Sequence, residues 1–483
     1  MIESTHFESL YPTESRKNEI KQILDFVSKG NSCQLVSLPG VGRSNLLGLL
    51  SYNRNVRITY FGENQKWFHF VLVNFAEVKG KTLSDVIKFL FLSLADSLRD
   101  RKLITEHDKL HQIFKQHYDF KDELVLFQGL KEAVTLLAIE KELTVVFLFD
   151  RFEEYVPMLT SDFFSQLRIL RNIAKYRFSV VFSLNRPLED ILEPSLFADF
   201  YEFLEGNIVY LPITDEEGLK FRISYVEKLA KKSLPDTLAK HILTITSGHG
   251  KLTRLAVEET LTEDEKSLPK TEKELTQFFL EKKSIQKSLL EIWDSLIPSE
   301  QNFLTTTCHL YEPEALQSRG PELALALSSG RRVSGSPSRE GDSDLHQNDN
   351  EKNFLENIGL IKSGVIQIPL FKDFINQQQT AQTTQPITLN PQTNTISKNN
   401  QILSDRLTAA EYKLLIFLLQ NKNRIVERNE IIDAVWASAK STAGVTDQAV
   451  DQLVSRLRKK IEDNPNNPTH IQTVKGRGLQ FTP

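Results

Sequence analysis

Five short apolar runs punctuate the first half of the chain: "SCQLVSL" (32–38), "FHFVLVNF" (68–75), "LTVVFLFD" (143–150), "FSVVFSLN" (178–185) and "NIVYLPIT" (207–214). Helix-patterned sequence separates most of them. Several are nearly continuous in apolar residues rather than alternating, the pattern of strands buried on both faces. Strands of that kind joined by helical crossovers make a parallel sheet with helices on either side. The expected fold class is therefore multidomain α/β, with the sheet in residues 1–214 and a helical lid over 215–283. A lead-in helix, "SRKNEIKQILDFVSKG", is closed by Gly30.

With 483 residues the chain has room for about three domains of ~150 residues. Residues 284–375 read as a small winged-helix-like unit, in which "GLIKSGVIQIPLFKDFI" supplies a helix end, a wing and a final helix. It is interrupted at about 311–348 by a Ser-, Gly-, Arg- and Pro-rich insert without periodicity, expected to be disordered. The Gln/Thr stretch 376–386 reads as a linker, and 387–483 as a last domain of short strands, three helices and a terminal hairpin.

The two cysteines, Cys33 and Cys308, lack disulfide-framework or metal-ligand spacing. No apolar run approaches the ~20 residues that span a bilayer, and the N-terminus lacks signal-peptide features. The expectation is a cytoplasmic protein without a membrane partner. The net charge of -4 is unevenly spread. Residues 387–483 carry 13 Lys+Arg against 9 Asp+Glu, and the remainder 46 against 54. A basic tail on an acidic body points to nucleic acid.

In "TDQAVDQLVSRLRKKIE" (446–462), Val450, Leu453, Val454, Leu457 and Ile461 form one buried stripe. Opposite lie Gln448, Gln452, Ser455, Arg456 and Lys459, side chains able to bond base edges and phosphates. In "HIQTVKGRGLQFTP", Lys475 and Arg477 flank a glycine at a hairpin tip and can reach phosphates or a minor groove. With "LTAAEYKLLIFLL" and "VWA" in the same order, the last ~97 residues resemble the OmpR/PhoB-type winged-helix DNA-binding domain. The resemblance implies double-stranded DNA as partner, with the third helix in the major groove and the wing at the neighbouring minor groove. It makes Ser455, Arg456, Arg458 and Gln448 helix contacts, and Thr473 and Lys475 contacts near the wing.

"SLPGVGRSNLL" (37–47) sits between a strand and a helix, where a phosphate-binding loop reads G-x-x-x-x-G-K-[ST]. Ser37 stands for the first Gly and Arg43 for the Lys, whereas Gly40, Gly42 and Ser44 fit. Backbone N–H groups there can cradle phosphates, and Ser44 can hold Mg²⁺. Asp150 ends the third strand, the place of a Mg²⁺-binding carboxylate, and Glu153 or Glu154 can position an attacking water. Asn185 and Arg186 end the fourth strand at the same sheet edge, with Arg186 a candidate γ-phosphate sensor.

Over residues 8–283 these features, in order, resemble the STAND/AAA+ group of P-loop ATPases. Arg16 in "LYPTESRKNEIKQI" matches an adenine-side Arg. "YLPITDEEG" matches the stretch after the fifth strand. "TSGHGKLTRLAVE" matches a lid element that carries Arg254, with Gly250 where Pro is usual. The resemblance implies ATP or ADP with Mg²⁺ as cofactor. Ser37, Arg43 and Arg151 depart from the pattern, so weak hydrolysis or binding alone is expected. Three readings stay open: a DNA-binding transcriptional regulator with a nucleotide-dependent switch or oligomerisation module, a DNA-remodelling or replication-initiator-like ATPase, and a pseudo-ATPase scaffold for a protein partner.

Overall fold

The computed structural model describes residues 6–117, 122–263, 268–269, 271–310, 351–382, 387–390, 395–398, 401–404, 407–422, 424–436, 447–462, 468, 470–474 and 477–482. The expected 311–348 insert lies outside the described residues. Two compact units divide the chain, 1–376 and 377–483.

The N-terminal unit is built on a parallel sheet of five strands: β1 (Cys33–Val36), β2 (Phe68–Asn74), β3 (Thr144–Asp150), β4 (Phe178–Leu184) and β5 (Ile208–Tyr210). Their spatial order is β2-β3-β4-β1-β5. This is the parallel α/β sheet that the apolar runs forecast. Every residue of β1 and β4 is buried, as strands covered on both faces require. Register brings functional ends together: Asn74 pairs with Asp150, Phe149 with Phe182 and Val36 with Leu184. The carboxyl ends of β1, β3 and β4 therefore lie side by side, and β1 lies between β4 and β5, where the strand order reverses.

One face of the sheet packs an aromatic core. Phe75 meets Phe149 and Phe152 edge to face at 4.7 and 4.9 Å, an arrangement worth about 0.5–1.5 kcal/mol per pair beyond area burial. Helices α4 (Leu83–Asp100), α5 (Ile104–His117), α6 (Glu123–Thr135) and α7 (Ser161–Ala174) cover it. Thr82 and Asp85 close a capping box that fixes the start of α4. The other face packs α1 (Lys17–Ser28) and α2 (Arg43–Tyr52), which α3 (Arg54–Phe61) follows.

After β5 the chain is helical, with Glu216–Ala230, Asp236–Thr246, Gly250–Thr262 and Glu272–Leu280 in the segment expected as a lid. Its apolar residues join the α2 side of the core, together with the small unit that follows. That unit has helices Lys283–Asp294 and Pro298–Leu310, a helical stretch over 351–357, a two-stranded wing of Ile361–Lys362 and Val365–Ile366, and helix Pro369–Gln382. The last helix runs into the stretch expected as linker.

The C-terminal unit is a winged helix. Strands Thr388–Asn390, Thr395–Lys398 and Gln401–Ile402 form an antiparallel sheet. Helices Ala409–Gln420, Arg428–Trp436 and Asp447–Ile461 follow, and Ile471–Val474 pairs with Gly478–Phe481 as the hairpin. Ile425–Val426, absent from the sequence reading, adds a third strand beside Gly478–Phe481. Among the described residues, no helix is long and apolar enough to cross a membrane.

Candidate functional site

In the N-terminal unit, the loop leaving β1 borders a cleft of about 800 Å³. Arg16, Gly40, Gly42, Arg43, Ser44 and Glu153 line it, as do Glu154, Asn185 and Arg254. Sequence-distant candidates thus converge on one space. The backbone N–H groups from Gly40 to Asn45 have no protein acceptor among the described residues, because α2 begins at Arg43 and its first internal bond is Leu46 N–H to the Gly42 carbonyl. Six consecutive donors at a helix N-terminus form a cradle for an anion.

Two glycines make this bend. Gly40 sits at φ +80 and Gly42 at φ +117, which side chains rarely adopt. A Cβ on Gly40 would also stand 2.8 Å from both His249 Cε1 and Lys251 Cβ. Ser37 replaces the usual first glycine without backbone strain: its φ is not positive, and its buried hydroxyl donates to the Leu38 carbonyl at 3.0 Å.

Arg43 takes the place of the lysine and turns toward protein. Its Nη2 donates to Glu153 Oε1 at 2.9 Å and to Asn185 Oδ1 at 2.5 Å. Arg43 Nη1 and Glu153 Oε2 are buried without a partner among the described residues. Such orphaned polar atoms are costly, and here they border a cleft that a polar ligand can enter. Asp150 is buried, 7 % exposed, and lies outside the cleft lining; its Oδ1 accepts from Ser183 Oγ at 3.3 Å. Glu154 bonds Lys79 at 2.6 Å and Arg151 at 2.8 Å, and these cations lower its pKa.

Arg186, expected as a phosphate sensor, is outside the cleft lining. It donates to both carboxylate oxygens of the buried Glu300, at 3.0 and 2.8 Å, and lies over the Phe354 ring at 4.2 Å. The structure therefore makes it a tie between the sheet edge and the small helical unit. Arg254 lines the cleft and pairs with Glu258 at 2.7 Å.

Arg16 is buried and acts through main-chain oxygens. It donates to the carbonyls of Pro212 at 2.7 Å and Val41 at 3.0 Å, with Asp215 at 3.7 Å. Burial lowers its pKa. It thereby locks the N-terminal segment to the phosphate loop and to the chain after β5.

The helical segment after β5 holds the same loop. His249 Nε2 donates to the Pro39 carbonyl at 2.9 Å while Nδ1 accepts from Leu252 N–H at 3.3 Å. Lys251 N–H donates to the Gly40 carbonyl at 2.9 Å. Complete burial depresses the His249 pKa to about 4, so the ring is neutral and the donor sits on Nε2.

Sequence reasoning passed over His249 and Lys251, and also Tyr11 and Arg222. The Tyr11 hydroxyl accepts from Arg222 Nη2 at 2.6 Å at the cleft's other end. Tyr11 and His249 both fall within motifs the sequence offered, "LYPTES" and "TSGHGKLTR", which carried the signal for them.

In the C-terminal unit, Val450, Leu453, Val454, Leu457 and Ile461 of helix Asp447–Ile461 are buried. Gln448, Gln452, Ser455, Arg456 and Lys459 are exposed, so the polar face is free to meet a ligand. Arg458 is turned away: Nε and Nη2 donate to the Ile471 carbonyl at 3.0 and 2.7 Å, and Nη2 also to Thr473 Oγ1 at 2.9 Å. It fastens the helix to the hairpin. Arg477 is exposed at the hairpin tip, and Lys475 lies outside the described residues.

Residues 404–481 match the family model "Transcriptional regulatory protein, C terminal". The C-terminal unit carries a domain of this family. The chain is similar to the sensory transduction protein RegX3 of Mycolicibacterium smegmatis, 36 % identical over 96 residues, covering 20 % of this chain and 40 % of that protein. It is also similar to the probable transcriptional regulator ycf27 of Porphyra purpurea, 33 % identical over 125 residues, or 26 % and 44 % of the two chains. The chain thus spans less than half the length of these curated relatives. Among solved structures, the Klebsiella pneumoniae RstA DNA-binding domain in complex with RstA box is 26 % identical, covering 21 % of this chain and 94 % of that one, at TM-score 0.18. The Walker-type ATPase of Pyrococcus abyssi is 12 % identical, covering 77 % and 97 %, at TM-score 0.43.

Proposed function

We propose that the chain is a sequence-specific DNA-binding transcriptional regulator. In this reading its N-terminal unit binds ATP or ADP and uses the bound nucleotide as a switch or to bring copies together. The observation that carries the DNA reading is the exposed Gln448, Gln452, Ser455, Arg456 and Lys459 face, set on a buried apolar stripe within a transcriptional-regulator C-terminal domain. Such a helix offers donors and acceptors to base edges and cations to phosphates.

The nucleotide reading is supported by the unpaired amides of Gly40 to Asn45 and by the orphaned Arg43 Nη1 beside them. Both suit phosphate oxygens. Ser44 and Asp150 would hold Mg²⁺, which would screen phosphate charge. Arg43, released from one of its two partners, would read a terminal phosphate. Because Glu153 is engaged by Arg43, turnover is expected to be slow. The same pairing favours a second reading, a pseudo-ATPase whose cleft neutralises itself and whose surface receives a protein partner. DNA-remodelling activity would require vigorous hydrolysis, which a captive Glu153 disfavours.

A thermal melt of the whole chain with Mg²⁺ and ATP, ADP or neither separates these readings, with Asp150→Ala as control. A rise of several degrees that the variant loses is expected, because a ligand bound only by the native state stabilises it. An unchanged melt at millimolar ATP would leave the scaffold reading.

A further inference from the structure

A second cavity, of about 730 Å³, opens beside the edge strand β2, between α4 and the carboxyl end of α2. Its lining sets the apolar Tyr52, Phe68, Phe70, Leu72 and Phe89 beside the cations Arg57 and Arg101 and the carboxylates Glu77, Asp96 and Asp100. Arg57 is 9 % exposed, and its Nη1 donates to the carbonyls of Leu50 at 2.8 Å and Ser51 at 2.7 Å. Arg101 Nη1 donates to the Phe68 carbonyl at 2.7 Å and to His69 Nδ1 at 3.3 Å, and Nη2 to the Lys66 carbonyl at 2.6 Å. The His69 ring is fixed from its other side, donating through Nε2 to Ser97 Oγ at 2.8 Å, whose hydroxyl donates to the Leu94 carbonyl.

Carbonyl partners satisfy N–H groups but cancel no net charge. Among the described residues neither Arg57 nor Arg101 has a carboxylate in ion-pairing range, and Arg57 Nε and Nη2 have no protein acceptor. The two guanidiniums instead repel: Arg57 is lowered to about 10 by burial first and then by the charges of Arg101 and Arg54. His69, lowered to about 3 by burial and by both arginines, stays neutral and offers no further charge. A buried cation such as Arg57 is expensive unless something pairs with it. Here it and the half-buried Arg101 line an open space beside aromatic side chains.

We propose that this cavity binds a small organic anion, a carboxylate or phosphate group on an apolar body, with the head on Arg57 and Arg101 and the body against Phe68, Phe70 and Phe89. Glu77, Asp96 and Asp100, in the same lining, disfavour a polyanion, which would have to lay charge across them. The occupant is therefore small and carries its charge at one end. The site is separate from the nucleotide cleft but joined to it by α2, whose first turn borders the phosphate loop and whose last carbonyls Arg57 holds. An anion that draws on Arg57 bears directly on the helix that presents the loop.

Calorimetric titration of the full chain with phenylacetate and with phenyl phosphate tests this, and the two probes distinguish a carboxylate from a phosphate head. At least one should bind once per chain, with ATP neither competing for nor displacing it. Arg101→Gln should weaken binding on the order of tenfold or more, as loss of one charge-assisted partner predicts. Should that variant fail to fold, Ser93→Trp leaves both arginines in place and fills the cavity from α4, and should abolish binding. Binding unweakened in Ser93→Trp, displacement by ATP, or no binding of either probe to the parent overturns the proposal. Since probe binding is read without DNA and ATP enters only as a competitor, failure of the proposal is distinct from failure of the regulator reading.

Discussion

Arg43 and Glu153 pair at 2.9 Å at the cleft, and each keeps one buried polar atom without a partner among the described residues. A lysine would place a single compact ammonium at this point. A planar guanidinium spans Glu153 and Asn185 together and still has donors left over. Arg43 therefore does two things at once: it restrains a candidate base, and it keeps cationic hydrogens available for a ligand.

Breaking that pair has a defined cost. Arg43→Ala should lower stability by about 1–3 kcal/mol, because Glu153 is left without its cation in a partly closed cleft. Adding Glu153→Gln should restore part of the loss. Chemical denaturation of the two single variants and the double variant measures the coupling. A strictly additive result would show that the contact contributes nothing.

Hydrolysis should respond differently from binding. Glu153→Gln is expected to keep the ATP-dependent rise in melting temperature and to remove whatever phosphate release the parent shows. Phosphate release and melting curves on the same preparation check this. Turnover retained in Glu153→Gln would transfer the water-positioning role to Glu154, whose carboxylate Lys79 and Arg151 hold.

On the DNA side, Arg456→Ala should cost about 1–3 kcal/mol of specific affinity and relax sequence preference, whereas Lys459→Ala should weaken all sequences alike and flatten the salt dependence. Arg458→Ala should act through the fold. It releases the Ile471 carbonyl and Thr473, so a loss of about 1–3 kcal/mol in stability is expected. Binding isotherms at two salt concentrations, beside melting curves, separate the three effects. A normal melt with lost specificity in Arg458→Ala would return that residue to the groove.

The lid should loosen in acid. His249 has a folded-state pKa of about 4, below its ordinary value of 6.5. Its unfolded form takes up a proton first as pH falls. The stability it contributes is therefore complete above about pH 6.5 and is lost progressively toward pH 4. His249→Asn, which retains a helix-capping side chain, should flatten this part of the stability–pH profile relative to the parent. His69 titrates in the same direction in both proteins, so the difference between the two profiles isolates His249.

The apolar runs and the loop pattern made the sheet and one edge of the cleft legible, because strand burial and a strand–loop–helix junction are local properties. The engagement of Arg186 was hidden for the opposite reason. Its partner Glu300 lies 114 positions downstream on another helix, and no local pattern records that. Arg458 shows a finer limit: it stands in the basic run of its helix, yet the hairpin 13 residues on claims it. Likewise the Tyr11–Arg222 contact joins residues 211 positions apart. Periodicity assigns a face to a helix, but it does not say which neighbour has already taken a side chain on that face.

His249, Lys251 and Arg16 all hold the phosphate loop by its carbonyls at Pro39, Gly40 and Val41. Every residue type supplies a carbonyl. The loop's side chains are thus free to drift while the domain stays clasped, provided Gly40 keeps room for the clasp. Ser37 and Arg43, where the expected loop pattern has Gly and Lys, sit in this clasp without disturbing it. A chain built this way can change what its cleft recognises without first having to reinvent how the cleft is assembled.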